Sequence, residues 1–152
     1  MSWTYDDGGR KAAGYRGITG DCATRAIAIA SGMPYQDVYD LVNDFASDEK
    51  TRRGKLGFLA ATGRGSGART GVIGQTMREI MDHLDWIWTP TMRIGQGCKV
   101  HLRADELPSG RLVVAVSRHY VAVIDGVVRD LYDPTRGGQR CVYGLWQKSV
   151  KP

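Results

Sequence analysis

The sequence predicts an α+β domain in which N-terminal helices pack on a C-terminal antiparallel sheet. Apolar residues follow helical spacing up to residue 84, and β-rich runs separated by turn residues follow from residue 86. Helices first and strands afterwards are typical of this class rather than of alternating βαβ units. The length of 152 residues, 42% of them hydrophobic and 24% charged, predicts a single domain over residues 1–152.

The first elements follow from glycines and apolar spacing. Residues 1–20 contain five glycines and no sustained period, which predicts an irregular arm. A helix is predicted to begin near Cys22, after Asp21 or Thr19 as its cap, and to end at Gly32. A second helix is predicted after Pro34, with one apolar face formed by Val38, Leu41, Val42 and Phe45.

Residues 46–71 change in character and predict a basic, glycine-rich, mobile loop. The net charge of +5 makes an acidic partner a reasonable expectation for this segment. The cations that would contact such a partner are Arg52, Arg53, Lys55, Arg64 and Arg69. A third helix, near Gln75 to Leu84, restores the helical period before the sheet begins.

Five strands are predicted in the second half of the chain. β-branched and aromatic residues dominate each run, and Asp125-Gly126 is a strong signal for a hairpin. The runs are Trp86–Thr91, Leu112–Val116, His119–Ile124, Val127–Tyr132 and Cys141–Trp146.

Cys22 is the candidate nucleophile. In the first turn of a helix, free amide groups and the positive end of the helix dipole stabilise a thiolate. A small buried thiol that only packs is the other interpretation of a lone cysteine. The presence of a base and an acid near Cys22 therefore decides between the two.

His119 is the candidate base, and the identity of its acid depends on the hairpin register. A two-residue turn at Asp125-Gly126 places Tyr132 opposite His119 and Asp130 one diagonal step away on the same face. A three-residue loop with a bulge places Asp133 directly opposite His119. We favour the second register, so Asp133 is the predicted acid and Asp130 the alternative.

These residues lie in two segments that resemble a known family. GDCATRAIAIA and SRHYVAVIDGVVRDLYDPT resemble compact bacterial forms of the papain-like cysteine protease superfamily, which share the order Cys, His, Asp. The Asp-Cys pair and the closing Asp-Pro are similar to leader peptidases of bacteriocin exporters, and Asp-Pro-Thr is similar to transglutaminase-like hydrolases. The layout also resembles small phage-encoded proteins. The match covers about a third of the chain.

The resemblance implies a papain-like fold and a thiol-dependent hydrolase or acyltransferase acting on an amide, isopeptide or ester bond. It implies Cys22 as nucleophile, His119 as base and Asp133 as orienting acid, with a peptide or protein substrate and no cofactor. Arg16 stands six residues before Cys22, where papain-like peptidases have a glutamine. Arg16 and the backbone amide of Cys22 are therefore the candidates for stabilising the oxyanion, and Asp21 joins Arg16 as a candidate for substrate binding.

Other interpretations of the sequence remain open. A binding or inhibitor protein on a degenerate papain-like scaffold would use the basic segment against a host protein or nucleic acid. Cys98-x-x-His101 has the spacing of metal ligands, but zinc sites usually have two close pairs, so no metal is predicted.

Three cysteines without a CxxC predict free thiols and a cytoplasmic protein. No apolar window reaches the length of a membrane span.

Overall fold

The computed structural model describes residues 1–17 and 19–148, so Ile18 and residues 149–152 of the predicted domain lie outside the described residues. The α+β class is confirmed. The helices are α1 (Cys22–Ser31), α2 (Tyr35–Ser47), α3 (Lys55–Ala61) and α4 (Gly74–His83). The strands are β1 (Ser2–Tyr5), β2 (Trp86–Pro90), β3 (Arg111–Val116), β4 (His119–Ile124), β5 (Val127–Asp130) and β6 (Val142–Lys148).

The sheet is mixed, which corrects the prediction of an antiparallel sheet. Its strand order is β1-β5-β4-β3-β6-β2, and β1 pairs with β5 in parallel. The predicted irregular arm over residues 1–20 therefore contains a strand. All four side chains of β1 are exposed, so no alternation of apolar and polar residues marks it in the sequence.

Helix α1 lies against the sheet and contacts β3, β4 and β5. Its residues 23–30 are all buried, and its alanines let the helix axis come close to the strands. Gly32 adopts a left-handed conformation (φ 77°) and donates its N–H to the carbonyl of Ala28, which ends the helix where the sequence predicts. The packing of α1 fixes the position of its first residue, Cys22.

Both faces of the sheet are buried. The helices cover one face, where the buried side chains include Val113, Ala122 and Trp146. On the other face, Leu102 and its neighbours pack on Leu112 and alternate residues of β3 and β4. The segment that carries Leu102 is tied to the start of β6 by the disulfide Cys98–Cys141.

This disulfide corrects the prediction of three free thiols, because the Cα atoms of Cys98 and Cys141 lie 5.8 Å apart across a sequence separation of 43 residues. Cys22 is the free cysteine.

The basic segment over residues 46–71 is structured, which corrects the prediction of a mobile loop. It contains α3, and buried hydrogen bonds hold the glycine-rich part that follows. The carboxylate of Glu49 accepts a hydrogen bond from the backbone N–H of Ser66 at 2.6 Å, and Thr24 of α1 donates to the carbonyl of Ala68 at 2.9 Å. The segment is therefore fixed against the start of α1.

The hairpin between β4 and β5 has the two-residue turn, so the predicted three-residue loop is wrong. Asp125 (φ 48°) and Gly126 (φ 78°) are both left-handed, and Ile124 pairs with Val127. A type I′ turn needs a positive φ at both positions, and aspartate adopts one more readily than most residues.

In the described part of the chain, no helix has the length and apolar character that crossing a membrane requires.

Candidate active site

Cys22 is the first residue of α1, and its thiol is half-buried at one end of the sheet. The residue before it, Asp21, makes no side-chain hydrogen bond to the helix start. The backbone N–H groups in the first turn of α1 therefore have no side-chain cap, and they point out of the N-terminal end of the helix, which Cys22 begins. Cys22 lines a cleft of about 350 Å³, so the thiol is reachable from solvent.

His119 begins β4, directly after the tight turn Ser117–Arg118 that joins β3 to β4. Its side chain is buried, and its Nε2 donates a hydrogen bond to Oδ2 of Asp130 at 2.6 Å. The imidazole also lines the cleft with Cys22 and lies close enough to the thiol that each group shifts the pKa of the other. Since Nε2 is taken by Asp130, Nδ1 is the ring nitrogen left for the sulfur.

The ionisation of the pair follows from these contacts. Burial raises the pKa of Cys22, but hydrogen bonds from His119 and the backbone N–H of Tyr120, with the positive charges of His119 and Arg25, outweigh burial and lower it. Burial lowers the pKa of His119, but hydrogen bonds with Asp130 and Cys22 and their negative charges raise it to about 9. The arrangement favours a thiolate beside an imidazolium.

Asp130, the alternative acid, is the carboxylate that contacts His119. The register of β4 and β5 places Asp130 diagonally from His119, just beyond the last paired residues, Ala122 and Arg129. The two side chains span this diagonal, and the ring of Tyr132 packs against that of His119 at 5.6 Å between centroids.

Asp133, the favoured acid in the sequence analysis, does not contact His119. Its Oδ1 accepts hydrogen bonds from the backbone N–H and the hydroxyl of Thr135, at 3.0 and 2.7 Å. These bonds lower the pKa of Asp133 and close a turn after β5. The physical reason for the correction is the register, because shifting the pairing by one residue moves Asp133 off the face of His119.

A buried charge network extends from Asp130. Nη2 of Arg25 lies 3.4 Å from Oδ1 of Asp130, and Nη1 of Arg25 is hydrogen-bonded to Asp21. The hydroxyl of Tyr35 donates to Asp21 at 2.7 Å, and Nε of Arg10 lies 3.6 Å from the same carboxylate. Each buried carboxylate therefore has positively charged neighbours, which offsets the cost of removing it from water.

Three residues of the charge network, Arg25, Tyr35 and Arg10, are not among the site residues predicted from the sequence. Arg25 has a local signal, because it is a charged residue in the otherwise apolar stretch CATRAIAIAS and lies four residues after Asp21. Arg10 and Tyr35 reach Asp21 through tertiary contacts, and no local pattern identifies them.

The two predicted oxyanion or substrate-binding residues are not brought to the thiol. Arg16 is exposed and lines a separate cleft of about 380 Å³ with Lys11 and Tyr15. The Asp21 side chain is 0% exposed and faces Arg25 rather than the cleft. The oxyanion donors that the geometry offers are the uncapped amides at the start of α1, beginning with Cys22 itself.

The cleft over the sulfur has walls from two regions. Gly71, the last residue of the basic segment, and Val72 form one wall, and Ala115 and Val116 of β3 form another. Tyr120 and Tyr143 also line the cleft, together with Arg118. Apolar walls with a few polar groups are typical of a small-molecule or peptide side-chain pocket.

Cys98 and His101, which have the spacing of metal ligands in the sequence, do not form a metal site in the structure. Cys98 is bonded to Cys141, and His101 lies 3.2 Å from Glu106, so the predicted metal-like pair lacks a thiolate. Within residues 1–17 and 19–148, no three histidine, cysteine or carboxylate side chains form a group suited to a metal ion.

Two of the five basic side chains predicted to contact an acidic partner have neighbours within this chain. Arg52 lies 3.0 Å from Glu79, and the guanidinium of Arg69 lies 6.0 Å from the centre of the Tyr15 ring. The remaining three, Arg53, Lys55 and Arg64, are exposed.

Comparison with known proteins gives no relative on which to base an assignment. No protein-family model matches the chain, no curated protein is significantly similar to it, and no solved structure matches its fold significantly.

Proposed function

We propose that this protein is a thiol-dependent hydrolase or acyltransferase in which Cys22, His119 and Asp130 act together. The observation that supports the proposal best is the chain of contacts from the Cys22 sulfur through the His119 imidazole to the Asp130 carboxylate. A nucleophile, a base and a group that orients the base are the parts that nucleophilic acyl transfer requires.

The reaction follows from the charges of these groups. The Cys22 thiolate attacks a carbonyl carbon, and the electron pair of the C=O bond moves to oxygen, which the amides of the first turn of α1 stabilise. The His119 imidazolium then gives its proton to the leaving nitrogen or oxygen as the C–N or C–O bond breaks. A thioester with Cys22 and a neutral His119 remain.

The second half of the reaction restores the enzyme. Neutral His119 takes a proton from water, or from an acceptor amine or alcohol, as that group attacks the thioester. The C–S bond breaks and the thiolate returns beside the imidazolium. Asp130 keeps Nε2 protonated throughout, so that Nδ1 faces the sulfur in both steps.

The experiment is labelling with a thiol-directed acylating probe, followed by peptide mapping. The expected adduct lies on Cys22, and Cys22→Ala removes it, whereas Cys98→Ala/Cys141→Ala retains it. Equal labelling of wild type and Cys22→Ala would contradict the proposal.

The binding-protein hypothesis and the cellular location stay predictions. Binding that survives Cys22→Ala and weakens steeply with salt would favour the binding protein. A cytoplasmic location was expected from the sequence, whereas the Cys98–Cys141 disulfide is typical of an oxidising compartment.

A further inference from the structure

The cleft over Cys22 contains an arginine, Arg118, that has no role in the proposed acyl transfer. Arg118 lines it and directly precedes His119 in the chain. Apart from Cys22 and His119, Arg118 is the one charged residue among the described residues that line this cleft. None of the described residues that line the cleft is a carboxylate, so the net charge of the cleft is positive when a Cys22 thiolate and a His119 imidazolium cancel each other.

Arg118 has no ion-pair partner among residues 1–17 and 19–148. The guanidinium is exposed, and its five N–H groups form a planar fork that matches the two oxygens of a carboxylate. Most other arginines near the site are occupied. Arg25 is bound by Asp21 and Asp130, and Arg10 is directed to Asp21.

The backbone at Arg118 is held in place. Arg118 adopts a left-handed conformation (φ 56°) in the turn between β3 and β4. Val116 and His119 pair on either side of the turn, and Nη2 of Arg140 donates to the carbonyl of Ser117 at 2.6 Å. The base of the Arg118 side chain is therefore fixed relative to His119.

Apart from Tyr120 and Tyr143, the remaining walls of the cleft are small and apolar. Gly71, Val72, Ala115 and Val116 leave room for an aliphatic stem but offer no charged partner to a substrate ammonium group. A substrate with an aliphatic chain that ends in a carboxylate fits both the walls and the guanidinium.

From these observations we infer that the acyl group transferred to Cys22 carries a carboxylate, which Arg118 binds. The inference rests on the proposed function and adds its substrate class. Two sources share this chemistry. One is an aspartyl or glutamyl residue that is attacked at its α-carbonyl, so that its side-chain carboxylate enters the cleft. The other is a γ-glutamyl group that is attacked at its γ-carbonyl, so that its free α-carboxylate enters the cleft.

The test uses benzyl thioesters of four acyl groups, namely N-acetylglutamyl, N-acetylglutaminyl, N-acetyllysyl and N-acetyl-γ-glutamyl with a free α-carboxylate. The Cys22 thiolate attacks the thioester carbonyl, the bond to the benzyl sulfur breaks, and the benzyl thiolate leaves with the electron pair and takes the proton of His119. Release of benzyl mercaptan gives the rate, and intact mass gives the adduct on Cys22.

The expected result is a kcat/KM at least about tenfold higher for one of the two carboxylate probes than for the glutaminyl probe, with the lysyl probe slowest. Which carboxylate probe is faster identifies the source. Arg118→Gln reduces this preference to within about twofold, and Arg118→Lys keeps part of it because a point charge replaces the fork. The matched control is Arg103→Gln, an exposed arginine that is paired with Asp105 and does not line the cleft.

Three outcomes count against the inference. Equal rates for carboxylate and glutaminyl probes, or a preference that persists in Arg118→Gln, would overturn it while leaving the proposed function intact. If no probe acylates Cys22 in the wild-type protein, the proposed function fails and the substrate class fails with it. Far-UV circular dichroism of Arg118→Gln and Arg118→Lys checks that both variants are folded.

Discussion

Nη2 of Arg25 lies 3.4 Å from Oδ1 of Asp130, while Oδ2 of the same carboxylate accepts the hydrogen bond from His119. Arg25 is on α1 and Asp130 ends β5, and the two residues are 105 positions apart in the chain. The contact therefore joins the helix that carries the nucleophile to the strand that carries the acid. Arg25 does not line the cleft over Cys22, so we expect it to position Asp130, to balance the charge of that carboxylate and to favour the Cys22 thiolate through its own charge.

Replacing Arg25 tests this role. In Arg25→Met, the buried carboxylates of Asp21 and Asp130 lose a shared partner, and we expect the free energy of unfolding to fall by about 3–5 kcal/mol. We expect kcat to fall about tenfold or more with little change in KM, because Arg25 does not line the cleft over Cys22. Chemical denaturation and steady-state kinetics measure the two effects.

The conservative variant separates positioning from general destabilisation. Arg25→Lys keeps the charge but has one donor group for two carboxylates, so it is expected to recover part of both losses. A folded Arg25→Met protein with unchanged kcat and an unchanged pH profile would show that Arg25 has a structural role alone.

The two candidate acids give a matched pair of variants. Asp130→Asn removes the charge that holds the His119 imidazolium, and we expect kcat/KM to fall by about 10²–10⁴-fold. Asp133→Asn affects a turn closed by Thr135, and we expect less than about a twofold change in kcat/KM. The reverse order of the two effects would mean that the acid predicted from the three-residue loop is the functional one.

The activity should depend on pH in a bell shape. Attack requires the Cys22 thiolate, so the acid limb of kcat/KM lies at the lowered pKa of Cys22. Protonation of the leaving group requires the His119 imidazolium, so activity falls as pH rises through about 9. Because the two groups are coupled, the two limbs belong to the pair. Steady-state rates on an amide substrate measure the profile, and activity that keeps rising past pH 9 would count against the role of His119.

The disulfide predicts the number of free thiols and a contribution to stability. Thiol titration of the unfolded, unreduced protein should find Cys22 alone, and reduction should add Cys98 and Cys141. Chain entropy for a loop closed over 43 residues gives a stabilisation of about 4 kcal/mol. Cys98→Ala/Cys141→Ala is therefore expected to lower the free energy of unfolding while leaving a thiol at Cys22. Three titratable thiols before reduction would contradict the bond.

Local signals in the sequence were sufficient for most elements. The helix from Cys22 to Gly32 and the strand that begins at His119 depend on short-range spacing and a glycine stop, and both occur as predicted. These features are set by neighbouring residues, which a single sequence displays directly.

The carboxylate that contacts His119 was harder to predict because it depends on the conformation of the β4–β5 turn. In a three-residue loop built on a type I turn, Asp125 would be right-handed and every partner of β5 would shift by one residue, but Asp125 is left-handed and Asp130 contacts His119. Strand β1 and the Arg25–Asp130 contact involve residues more than a hundred positions apart, for which the local sequence carries no signal.

We propose that Cys22 is a thiolate stabilised by His119, and the ultraviolet absorbance of the thiolate as a function of pH measures this ionisation at the sulfur itself. The spectrum of Cys22→Ala is subtracted, so that the signal belongs to Cys22. We expect thiolate absorbance at neutral pH that disappears on acidification in the wild-type protein, and a midpoint shifted to alkaline pH in His119→Gln, where the hydrogen bond and the charge of His119 no longer offset the burial of the thiol. A thiolate that forms only at alkaline pH, with the same midpoint in both proteins, would contradict the account.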